Sequence, residues 1–232
     1  MTTERHDFAD RDELAKALAD AVAANINAAL IVSGVAAIAV SGGSTPAKFF
    51  SALGKHKDVD WTKVYVTLVD ERWVDETSDR SNAMLVNEKM LQGPAAVAHF
   101  IPLYAGGAEP DDAAVARTNR LLETLPRRYA AVLLGMGNDG HTASFFPGGD
   151  NLFEAIRGEG PAVAIRAPGA GEPRITQVLR RLVSTDALYL QIEGEEKALT
   201  LAKATEDGPI EAMPIRAVLR QQAVPLQVYW AP

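Results

Sequence analysis

Apolar positions recur at helical spacing over residues 12–31, with Asp10 or Asp12 available as an N-cap. Gly34 breaks that pattern, and VAAIAV (35–40) is then apolar on both faces, as strands are in parallel sheets covered by helices on each side. SGGSTP follows, and a helix is predicted over 47–53. The same alternation repeats along the chain. VYVTLV (64–69) reads as a strand leading into DERWV and a polar loop. Residues 78–91 read as a helix capped by Ser78 or Asp79, and 111–125 as a helix after a loop containing Pro102, Gly106, Gly107 and Pro110. AAVLLG (130–135) and AVAIR (162–166) are strands, and PRITQVLRRLV (173–183) starts a helix with proline in its first turn. A strand over 186–192, helices over 195–205 and 214–221, and a strand over 225–230 complete the pattern.

Strands alternating with helices predict an α/β fold, a Rossmann-like, mostly parallel sheet flanked by helices on both faces. With no linker, repeat or low-complexity tract, residues 1–232 read as a single domain. In open sheets of this type ligands bind beyond the carboxyl ends of the strands. Three polar motifs sit at such ends: SGGSTP after Val40, DERWV after Val69 and GMGNDGH after Leu134.

Composition narrows the function. The formal net charge of −7 leaves no basic surplus for neutralising a nucleic-acid backbone, although a few arginines in one cleft still suffice for a small anion. The absence of cysteine removes disulfides, thiolate metal sites and a cysteine nucleophile. The N-terminus lacks the apolar core of a secretory signal, and the longest apolar run, 28–40, is too short for a bilayer and is interrupted by Ser33-Gly34. A soluble, cytoplasmic protein without membrane or nucleic-acid partners is expected; oligomeric state is not legible.

Each strand-end motif has two readings. In SGGSTP, Gly42 and Gly43 let backbone N–H groups face an anion at a helix start, with Ser44 and Thr45 as hydroxyl donors. A plain tight turn with an N-cap has the same spelling, and the lysine of a nucleotide P-loop is missing. Asp70, Glu71 and Arg72 form either an ordinary ion-pair cluster or a site in which Arg72 meets a substrate oxygen and Asp70 orients or handles a proton. His141 closes a glycine loop with Asp139 close by, so it is either a solvated or structural histidine or a general base. The other histidines, His6, His56 and His99, fall at surface or loop positions. No H-x-x-x-H or similar spacing points to a metal.

GMGNDG (135–140) also spells G-x-G-x-x-G, but the dinucleotide reading fails on context. The loop lies mid-chain, the next strand ends in Arg166 instead of an acidic residue, and Asp139 would repel a pyrophosphate.

SGGSTP, DERWV and GMGNDGHTASFFP in that order, followed by EPRIT (172–176) and GEEKALTLAK (194–203), resemble the 6-phosphogluconolactonases of the glucosamine-6-phosphate isomerase/6-phosphogluconolactonase family over nearly the whole chain. The resemblance implies hydrolysis of a phosphosugar lactone, 6-phosphoglucono-δ-lactone, with no metal or organic cofactor. It makes His141 the base that deprotonates water, with Asp139 orienting the imidazole and Asp70 and Arg72 as cleft residues. It places the phosphate at Gly42, Gly43, Ser44 and Lys197, with Thr45 beside them, and adds Arg174 as a further contact. Backbone N–H groups of residues 137–140 are candidates for the oxyanion. The related deaminases carry a phenylalanine-asparagine-glutamate-proline stretch after the shared G-x-D-G-H, where this chain has Thr142-Ala143-Ser144-Phe145-Phe146-Pro147, without the glutamate. A deaminase and a non-catalytic sugar-phosphate-sensing domain on the same fold are the alternatives.

Overall fold

The computed structural model describes residues 3–232. Seven strands form one sheet in which every neighbouring pair is parallel: β1 (Thr3–Asp7), β10 (Leu226–Ala231), β9 (Leu188–Glu193), β6 (Ala131–Leu134), β2 (Ala36–Val40), β3 (Val64–Leu68) and β5 (His99–Ile101), in that spatial order. All five residues of β2 and all four of β6 are buried, as in central strands covered on both faces. The strand order reverses between β2 and β6: the chain runs outward from β2 through β3 to β5, then returns to the other side of β2. SGGSTP leaves β2 and GMGNDGH leaves β6, so the two loops flank the switch point where open sheets leave a crevice.

Helix α1 (Arg11–Ser33) begins where the sequence places it. Asp10 accepts from the Asp12 and Glu13 amides at 2.9 and 2.8 Å, and Glu13 reaches back to the Ala9 amide at 2.9 Å. By length and composition α1 could cross a bilayer. One face of it is used otherwise: Leu14, Leu18, Val22 and Ile26, each about one turn apart, are fully buried in the core shared with the sheet and with α2 (Ala47–Leu53). Burying each such side chain is worth roughly 1.5–3 kcal/mol. α4 (Asp112–Glu123), α7 (Glu195–Thr205) and α8 (Ile215–Arg220) lie within a few residues of their predicted bounds.

A second, three-stranded antiparallel sheet was not expected. It consists of β4 (Asp70–Arg72), β8 (Arg174–Gln177) and β7 (Ala162–Ile165) in the order β4-β8-β7. The helix predicted over 173–183 is therefore corrected: residues 174–177 are strand, and only α6 (Leu179–Leu182) is helical. The choice is made by tertiary partners. Gln177 donates from its backbone to the Val69 carbonyl (2.9 Å) and from its side chain to the Leu68 carbonyl (2.7 Å), and it accepts the Tyr129 hydroxyl (2.9 Å). These bonds hook β8 onto the end of β3, and local spacing carries no trace of them. Strands β1 and β5 and helix α5 (Leu152–Arg157) were likewise unforeseen.

The helix predicted over 78–91 is shorter, α3 (Asn82–Lys89), and its cap is Ser81 instead of Ser78 or Asp79. Ser81 accepts from the Met84 amide at 3.2 Å, but the main acceptor for this helix start is Glu71, fully buried on β4. The Glu71 carboxylate accepts the amides of Asn82 (2.8 Å), Ala83 (2.8 Å) and Arg72 (2.7 Å) and the Ser81 hydroxyl (3.1 Å). Burial pushes the Glu71 carboxyl up from the ordinary glutamate range, and the three amides act against that rise.

Removal of this acceptor leaves several buried donors unpaired, at about 1–3 kcal/mol for each such group. Glu71→Ala is expected to lower the free energy of unfolding by about 3 kcal/mol or more. Glu71→Gln, which turns an N–H₂ toward amide donors, is expected to lose a large part of the same stability. Urea-unfolding midpoints of the two variants beside the wild type provide the check, and a wild-type midpoint for Glu71→Ala would remove the anchor role.

Candidate active site

Side chains alternate across a strand, so β4 sends Asp70 and Arg72 to one side and Glu71 to the other. Its partner β8 is in register, Asp70 opposite Thr176 and Arg72 opposite Arg174. With Glu71 held under α3, the other side of this small sheet brings Asp70, Arg72 and Arg174 to the cleft, with Thr176 buried behind them. Arg174 thus opens a strand and not a helix as expected, and it still reaches the cleft. The ion-pair alternative for DER is not realised among the described residues. Glu71 is satisfied by amides, and Arg72 donates from one terminal nitrogen to the Arg80 carbonyl at 2.5 Å.

The two guanidinium groups are short of acceptors. Buried Nε atoms of both Arg72 and Arg174 have no partner, and Arg174 otherwise donates to the Ala170 carbonyl at 2.7 Å. Burial, and the like charge of Arg72, pull the Arg174 guanidinium below its usual range, while Asp70 acts to raise it. Two adjacent, partly desolvated cations with free donors form a wall built for anionic oxygens.

The loop after β2 forms the facing wall. Among the described residues, the amides of Gly42, Gly43, Ser44 and Thr45 have no backbone acceptor. Gly42 is required by a close approach: a Cβ there would stand 1.9 Å from Oδ1 of Asn82. Asn82, the first residue of α3, also donates to the Asp70 carbonyl at 3.0 Å. It therefore joins the glycine turn to β4. Lys197 arrives from α7 and meets the Thr45 hydroxyl at 3.4 Å; burial pulls its ammonium below the ordinary lysine range. Gln191 on β9 donates to the Thr45 carbonyl at 3.3 Å, leaving its own buried Oε1 unpaired.

His141 completes the cleft from the loop after β6. Its Nδ1 lies 2.6 Å from Oδ1 of Asp139, which also accepts the His141 amide at 3.0 Å. The bond to His141 holds the Asp139 carboxyl below the usual aspartate range. An ionised Asp139 accepts from Nδ1, so in the neutral imidazole it is Nε2 that carries the lone pair. The imidazole lies over Gly137, where a Cβ would fall 2.2 Å from Cε1, and its other side packs against Phe146 at 4.3 Å between ring centroids. The Arg174 guanidinium sits over the same Phe146 ring, 5.4 Å from its centroid. One expectation narrows here. The Gly137 and Gly140 amides donate to the His141 and Gly137 carbonyls, so they close the loop and are not free for an oxyanion.

Most of these side chains border one cleft of about 230 Å³. Gly42, Gly43, Ser44, Thr45, Asp70, Arg72, His141, Arg174 and Lys197 line it, and Asp139 stands behind His141. His6 and His99 lie instead on edge strands, His6 tilted against Tyr229 and His99 stacked on Tyr65, and His56 pairs with Asp20 and Asp58. The sequence reading did not single out Asn82, Gln191, Ser144 or Phe146. The last two stand inside GMGNDGHTASFFP, so that motif pointed to the segment without assigning them parts. For Asn82 and Gln191 no local signal exists.

A model of the family described as glucosamine-6-phosphate isomerases/6-phosphogluconolactonase matches residues 9–230. A 6-phosphogluconolactonase of Rhizobium meliloti (strain 1021) is 48% identical to this chain, and the match covers the whole of both proteins. A second, from Mesorhizobium japonicum, is 46% identical over 97% of this chain and 94% of its own. Among solved structures, a 6-phosphogluconolactonase from Shewanella baltica OS155 shares the fold with a TM-score of 0.97 at 37% identity, covering 100% of this chain and 98% of that one. The chain belongs to the glucosamine-6-phosphate isomerase/6-phosphogluconolactonase family.

Proposed function

We propose that this protein hydrolyses 6-phosphoglucono-δ-lactone to 6-phosphogluconate, the lactone-opening step of the oxidative pentose phosphate pathway. The observation that carries the reading is the Asp139–His141 pair, whose free Nε2 borders a cleft walled by unpaired cationic and amide donors. The full-length likeness to 6-phosphogluconolactonases supports the same substrate.

In this reading the phosphate rests on the Gly42, Gly43 and Ser44 turn, with Thr45, Lys197 and Arg174 around it. Binding energy at this remote group positions the lactone for reaction. Nε2 of His141 takes a proton from water as the water oxygen bonds to the C1 carbonyl carbon. The negative charge passes to the carbonyl oxygen, for which Arg72 serves as the donor in this reading. Collapse of the tetrahedral intermediate breaks the bond between C1 and the ring oxygen. The imidazolium returns the proton to that departing oxygen, and the new carboxylic acid ionises in solvent. Asp139 keeps the imidazole in the required tautomer throughout, while Asp70, fixed at the cleft wall, orients the substrate. The deaminase alternative lacks its glutamate: residues 142–147 contain none, and Phe146 stands before Pro147 where the deaminases carry it.

His141→Ala is expected to lower kcat by about 10²–10⁴-fold with 6-phosphogluconate binding retained. Stopped-flow lactone hydrolysis, corrected for the spontaneous reaction, measures this, and wild-type turnover would rule out His141 as the base. Lys197→Ala should raise KM more than it lowers kcat, as loss of a ground-state anchor does; an unchanged KM would take Lys197 out of the phosphate site. Ammonia release from glucosamine 6-phosphate, run beside the lactone assay, separates the family's two activities. Lactone turnover without ammonia is expected, whereas ammonia release would overturn the assignment and activity on neither would favour a sensing domain.

A further inference from the structure

The Asp70 carboxylate is 5% exposed and Ser144 is 0% exposed, yet the two meet across 74 positions of sequence. The Ser144 hydroxyl donates to Oδ2 of Asp70 at 2.5 Å, a short charge-assisted bond inside the core. Ser144 belongs to neither sheet. It stands three residues after His141, in a turn closed by the Phe145 amide on the Thr142 carbonyl and pinned by the Thr142 hydroxyl on the Gly135 carbonyl. Its amide points to the Thr176 hydroxyl, opposite Asp70 on β8, at 3.4 Å. To bring the side chain there, the backbone turns sharply at Ala143, whose φ of +47° is the only left-handed value for a non-glycine among the described residues. A single residue of this kind costs on the order of 1–3 kcal/mol and persists only where its surroundings demand it. What that turn achieves is His141 in the cleft and Ser144 under Asp70.

We infer that Ser144 is a positioning residue: its hydroxyl sets the rotation of the Asp70 carboxylate and locks it to the loop that carries His141. Asp70 and His141 lie on different strands' ends, β4 and the loop after β6, and this bond makes them one rigid unit. With Oδ2 occupied, Oδ1 is the oxygen left for substrate. The inference rests on the proposed lactonase reading, in which Asp70 meets the substrate.

A double-mutant cycle on the full chain tests it, with kcat and KM for lactone hydrolysis measured for wild type, Asp70→Asn, Ser144→Ala and the double variant. Ser144→Ala is expected to lower kcat by about 10–100-fold, the scale of a small misplacement at a reacting centre, with KM changed by less than about twofold. In the Asp70→Asn background the same substitution should lower kcat by less than about twofold, because the carboxylate it positions is gone. An equal loss in both backgrounds, a change confined to KM, or a wild-type kcat for Ser144→Ala would each overturn the inference. Wild-type kcat for Asp70→Asn would instead overturn the role of Asp70 itself, a separate failure. Ser144→Cys, a weaker donor of similar shape, serves if Ser144→Ala melts below the assay temperature. An intermediate kcat is expected from it, and a wild-type value would overturn the inference.

Discussion

Glu71 is enclosed between two residues that face the opposite way. Strand alternation sends Asp70 and Arg72 into the cleft only if Glu71 goes into the core, and a carboxylate there is tolerable only with its oxygens filled. The start of α3 fills them with the Asn82 and Ala83 amides and the Ser81 hydroxyl. In return the helix gains an anion at its positive end. The same contact brings Asn82 against Gly42 and the Asp70 carbonyl, so the glycine turn, β4 and α3 are set by one buried charge. A one-residue slip of β4 would bury Asp70 and Arg72 and expel Glu71, which ties the pairing of β4 with β8 to the integrity of the cleft.

The cleft itself combines satisfied and unsatisfied polar groups in a definite division. Groups that hold position are bonded: Asp139 to His141, Ser144 to Asp70, Asn82 to Asp70, Gln177 to the end of β3. Around the cavity donors are left without partners: the amides following Ser41 have no backbone acceptor, and the buried Nε atoms of Arg72 and Arg174 have none either. Such an arrangement disfavours the empty site and favours an anionic ligand, the condition under which remote binding energy can serve a reaction elsewhere on the substrate.

Much of the fold was readable because it depends on local burial. The strands at 35–40 and 130–135 are continuous apolar runs and that at 64–69 is broken only by Thr67, and parallel central strands are the elements that need such runs. The edge strand TERHD has no such run, since four of its five residues are exposed and its partner β10 lies at the other end of the chain. RITQVLRRLV misled for a related reason. Proline followed by apolar residues at helical spacing fits a first turn, and the bonds of Gln177 to Leu68, Val69 and Tyr129 that make it a strand are long-range. The Ser81 cap was missed because Glu71, ten residues earlier, decides where the helix starts.

The sequence by itself determined the class of sheet, the three loops at its carboxyl edge and the chemical types gathered there: glycine turn, arginine, aspartate, histidine. These are matters of residue identity and short-range spacing. Only the tertiary structure decided how those groups are coupled. Arg174 reaches the cleft through antiparallel register with Arg72, Asn82 through a glycine that leaves room for it, and Ser144 through a left-handed alanine. Each of these depends on two segments distant in sequence meeting at hydrogen-bond range, and a one-dimensional pattern of polar and apolar residues contains no term for that meeting.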